Sequence, residues 1–117
     1  MSSVSKSKLS GSSDGELVLV TAVSSTGANT IHTCTSSSGA NTWDEVYLYA
    51  FNNSTGSRSL TVEFGSTTGI AVVTMTTKSG LNWIIPGSIG HRSLVVKAFA
   101  TSGASITVGG YVNQVTS

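Results

Sequence analysis

Two residues with metal-ligating side chains, His32 and Cys34, stand two apart in the run TIHTCT, and a second histidine, His91, lies further along. Alternate positions of a strand share a face, so His32 and Cys34 together with His91 would offer three of the ligands that zinc takes. No second cysteine and no CxxC or HxxxH spacing accompanies them, and Cys34 serves equally as a small buried apolar group. Asp44 and Glu45 are adjacent, which on a strand sends them to opposite faces and spoils them as a catalytic carboxylate pair. They read as residues at a strand start, a turn former or a partner to Arg58 or Lys97. Serine is abundant enough to compose a Ser–His–Asp set on paper, but no nucleophile elbow is encoded. No glycine-rich phosphate loop opens a helix. Asn52-Asn53-Ser54 and Asn53-Ser54-Thr55 match the glycosylation pattern, and a turn accounts for them equally well. Trp43 and Trp83 could stack on sugar rings, although aromatic side chains mostly serve burial. The chemistry-bearing residues thus point away from an enzyme and imply no cofactor and no metal.

The elements that must position these residues are β-strands. The chain has 117 residues, room for one domain, and 38% of them are hydrophobic. Only 9% are charged, and 38 serines and threonines take the place of the missing charges. A net charge of +1 with scattered Lys and Arg gives no electrostatic footprint for nucleic acid. It also gives little self-repulsion against association. One cysteine excludes an internal disulfide. No apolar run approaches the roughly 20 residues of a membrane helix, and the first residues lack the apolar block of a signal peptide, so synthesis and retention in a cytoplasm are expected.

Residues 1–15 are rich in Ser, Gly and Lys and are expected as a flexible N-terminal arm, with residues 16–117 as the folded domain. Short Val/Ile/Leu/Thr/aromatic runs at 16–23, 30–35, 44–52, 59–64, 70–76, 81–85, 93–99 and 105–113 alternate with Gly/Ser/Asn clusters. The Pro86-Gly87 pair reads as the centre of a type II turn. The repeated GANT, at 27–30 and 39–42, reads as two turns bracketing one strand. No segment carries a 3.6-residue apolar period. The fold class is therefore all-β: a single small β-sandwich or jelly roll of about eight antiparallel strands. Two strand types emerge. In 59–64, Leu60, Val62 and Phe64 oppose Thr61 and Glu63, the pattern of a half-buried strand. In 44–52 both faces are apolar: Val46, Leu48 and Ala50 against Tyr47, Tyr49 and Phe51. A two-layer sandwich hides only one face per sheet, so the tyrosine face is expected to be an oligomer contact.

Taken together, T-I-H-T-C-T (30–35), W-D-E-V-Y-L-Y-A-F-N-N-S-T (43–55), S-L-T-V-E-F-G (59–65), S-G-L-N-W-I-I-P-G-S-I (79–89), S-L-V-V-K-A-F-A (93–100) and I-T-V-G-G-Y-V-N (106–113) resemble small head structural proteins of tailed bacteriophages. Several of these resemble capsid decoration, or cement, proteins. The resemblance spans nearly the whole β body and carries no active-site motif. It implies a non-enzymatic virion protein, made in the host bacterial cytoplasm and bound to the capsid surface. Its partners would be the major capsid protein and copies of itself, most often as a trimer at three-fold positions. The N-terminal segment would then be a capsid-binding arm bearing Lys6, Lys8 and Leu9. Another assembly role (neck, tail or head-fibre base) and a carbohydrate-binding β-sandwich are the alternatives.

Overall fold

The computed structural model describes residues 3–37, 41–76 and 80–116. Within them the chain forms nine strands: β1 Ser3–Lys8, β2 Val18–Val20, β3 Asn29–Thr33, β4 Thr42–Asn52, β5 Arg58–Phe64, β6 Ile70–Met75, β7 Asn82–Gly90, β8 Val95–Ala100 and β9 Ile106–Thr116. They make two antiparallel sheets. Sheet A runs β1-β9-β4-β7, with β2 on the same edge of β9 as β1, and sheet B runs β3-β8-β5-β6. From β2 onward every connection crosses between the sheets except the β5–β6 hairpin. That path, β2-β9-β4-β7 over β3-β8-β5-β6, is jelly-roll connectivity, and it closes a two-layer sandwich.

Period-2 alternation drives the packing. Val46, Leu48 and Ala50 of β4 meet Val108 and Val112 of β9, Leu60 and Val62 of β5, and Val96, Ala98 and Ala100 of β8 in one buried core. Its fully buried members are aliphatic apart from Cys34 and Met75, and among the described residues the half-buried Phe64 is the aromatic side chain packed against them.

Three differences from the sequence expectation have physical causes. Pro86-Gly87 lies inside β7, because β7 is an edge strand, where a proline's missing donor costs no ladder bond. The register of β7 against β4 shifts twice, and Gly87 takes a φ of 104° at the second irregularity. Residues 3–8, expected within a free arm, pair with β9 residues 111–116. All six β1 residues are exposed, so this strand adds a ladder but no core. Finally, Leu9, expected on a capsid-facing arm, is 1% exposed and part of the core. Of the two GANT segments, residues 39 and 40 of the second fall outside the described residues, and Asn29 and Thr30 of the first already belong to β3.

Candidate functional site

The outer face of sheet A is built by the odd-numbered residues of β4 and β9. Trp43, Glu45, Tyr47, Tyr49 and Phe51 stand beside Val115, Asn113, Tyr111, Gly109 and Thr107 in register. Val4, Lys6 and Lys8 extend the face along β1, Leu19 along β2, and Trp83 and Ile89 along β7. Six of the eight aromatic residues therefore lie on this one face, and Lys6, Lys8 and Glu45 are its only Lys, Arg, Asp or Glu among the described strand residues.

The face is organised in rows across the strands. Lys6 Nζ lies 4.3 Å from the centroid of the Tyr111 ring, and Tyr111 stacks on Tyr47 at 4.8 Å and 14°. The far side of Tyr47 rests against Gly87, where a Cβ would sit 3.0 Å from the ring. A second row begins with Leu17 and Tyr49 folded over Gly109, a covering of a strand glycine by an aromatic ring. Tyr49 meets Trp83 edge-on at 5.5 Å and Phe51 edge-on at 5.8 Å. Tyr47, Tyr49 and Phe51 are thus half-buried by their own chain. The residues left most open are Val4, Leu17, Leu19, Trp83 and Ile89, each exposed by 46 to 64%.

The candidate metal ligands converge at one end of the sandwich, but with a different third member. His32, Cys34 and Asp44 bring their donor atoms within 4.8 Å of one another; His91 is not in the group. The hydrogen bonds define what the trio does. Ser10 N–H donates to His32 Nδ1 at 3.0 Å, which leaves the ring proton on Nε2, donating to Asp44 Oδ2 at 2.9 Å. Asp44 also accepts from Thr35 N at 3.0 Å and from Gln114 Nε2 at 3.2 Å. Ionic partners expected from sequence, Arg58 or Lys97, are not those of Asp44, because β4 turns that carboxylate into the sandwich beside β3. A metal on Nε2 would require the proton on Nδ1, where it would face the Ser10 N–H donor. Cys34 would also have to ionise, and burial, with the Asp44 charge adding to it, pushes its thiol up to about 12. The trio fits a structural tie better than a metal centre or a nucleophile. Asp44 joins the segment around Ser10 (through His32), β3, the following loop and β9.

Residue patterns missed several of these parts. Tyr111 completes the aromatic stack, yet nothing in the run at 105–113 singles it out. Glu63 stands opposite the core residues in the alternation of 59–64 but is 6% exposed, because Ser25 from the β2–β3 loop reaches it. Comparisons with protein-family models, with curated proteins and with solved structures find no match.

Proposed function

We propose that this protein is a non-enzymatic structural component of a tailed-bacteriophage virion, a decoration protein that binds the outside of the assembled head and stabilises it. One observation carries the reading. The fully buried core is aliphatic apart from Cys34 and Met75, while six of eight aromatics stand on the outer face of sheet A. Aromatic side chains bury the most area per residue and are enriched at protein interfaces, so placing them outside the core suits a contact surface. In this reading Tyr47, Tyr49 and Phe51, with Trp83 and Ile89, pack against neighbouring copies, and Lys6 and Lys8 on β1 reach the coat. Leu9 anchors that segment from inside the core. Modest contacts suffice, because a trimer on a repeating lattice gains by avidity. Stabilisation follows from binding the assembled shell and not free coat subunits.

The Tyr47–Tyr111 stack is unsuited to serve as a carbohydrate platform. Both faces of Tyr111 and of Tyr47 are already covered, by Lys6, by each other and by Gly87. The deciding experiment mixes the purified chain with heads that lack it and images them. Saturable, symmetric extra density is expected; bare heads at saturating protein reject the reading. Native mass separates a trimer from the six- or twelve-fold rings of a neck or tail component.

A further inference from the structure

On the outer face of sheet B, across the sandwich from the aromatic rows, the β5–β6 and β7–β8 turns wall a cleft of about 440 Å³. Glu63, Thr67, Ser93 and Lys97 line it beside Leu94. Glu63 is anomalous there. Most of its side chain is covered by the β2–β3 loop, where Ser25 Oγ donates to Oε2 at 2.6 Å. Among the described residues that is its one side-chain hydrogen bond, and Oε1 accepts none. Lys97 is its register partner on β8, yet the two form no ion pair. Glu63 Oε1 is not sealed off with the rest of the side chain: it keeps an open edge on the cleft, where it can accept from water or from a ligand hydroxyl.

We propose that this cleft binds a neutral polyhydroxylated ligand, the size of one sugar residue. An anion would be repelled by Glu63 and a cation by Lys97. Adjacent hydroxyls on an uncharged ring satisfy both: one donates to Glu63 Oε1, and its neighbour accepts from Lys97 Nζ. The hydroxyls of Thr67 and Ser93 can donate or accept around them, and Leu94 offers an apolar surface to the ring's C–H bonds. The wall is built in advance. Arg92 and Ser93 both hold a φ of 58°, fixed by their N–H bonds to Ser37 O and Thr35 O at 2.9 Å each. The inference does not rest on the virion reading, since it concerns the opposite face.

The test is a titration of the ¹⁵N-labelled protein with the methyl glycosides of glucose, galactose, mannose and N-acetylglucosamine, followed by amide shifts. For at least one glycoside, saturable shifts at Thr67, Leu94 and Lys97 are expected, and Lys97→Ala weakens binding by about tenfold or more. Lys97 is exposed, so that variant keeps its fold and decides alone. Glu63→Gln, where it folds, gives a comparable loss, while Trp83→Ala on the other face leaves binding unchanged. Absence of shifts with all four glycosides, shifts elsewhere only, or equal affinity in Lys97→Ala overturns the proposal.

Discussion

Asp44 accepts three hydrogen bonds at 3% exposure, from a histidine ring, a loop amide and a side-chain amide. Truncation strands all three donors. Asp44→Ala is therefore expected to cost about 3 kcal/mol of unfolding free energy in urea, and Asp44→Asn less, since its amide oxygen still accepts. Cys34 gives a pH signature. Its thiol is raised from 9.0 to about 12 in the fold, so above about 9 the unfolded chain loses that proton first. Stability then declines as pH climbs from about 9 towards about 12, and Cys34→Ser abolishes that part of the decline. For the same reason a thiol reagent at pH 8 should label Cys34 only after denaturant is added. Sequence patterning placed His32 and Cys34 on one face correctly. It missed Asp44 because that contact depends on the crossing from sheet B to sheet A, which no local period encodes.

At the level of elements, every body strand expected from the Val/Ile/Thr runs is present, with limits moved by a few residues. The hydrophobic alternation that fixes strand faces also fixes the core, so Val46, Leu48 and Ala50 could be read directly. β1 could not: Ser3 to Lys8 carries one apolar residue, and its strand exists only because β9 offers a free edge above β2. The segment after it is held differently. Leu9 fills the core, Gly11 N bonds Ile31 O at 2.9 Å, and a Cβ on Gly11 would collide with the Thr30 and Ile31 carbonyls. Deleting residues 1–8 should lower the melting temperature less than the single change Leu9→Ala, which costs about 3 kcal/mol. The reverse order would show that the exposed ladder, and not the buried leucine, carries this end of the molecule.

For the whole molecule, a slab 49 Å long and 26 × 21 Å across, the two broad faces differ in chemistry. One carries the aromatic rows, edged by Lys6, Lys8 and Glu45; the other carries Glu63, Lys97 and the cleft. Trp83 and Ile89 are 51% and 57% exposed, so Ile89→Asp should change monomer stability by no more than about 0.5 kcal/mol, and Trp83→Asp, which loses the edge contact with Tyr49, by about 1 kcal/mol. Both should reduce oligomer mass in light scattering and occupancy on heads; unaltered assembly in both would reject the aromatic face as the contact. The register of the outermost ladder has a practical consequence. Ser3 sits opposite Thr116, so the first and last described residues lie side by side at one corner, one inter-strand spacing apart. A short glycine bridge from Thr116 to Ser3 would close this body into a ring without crossing either sheet.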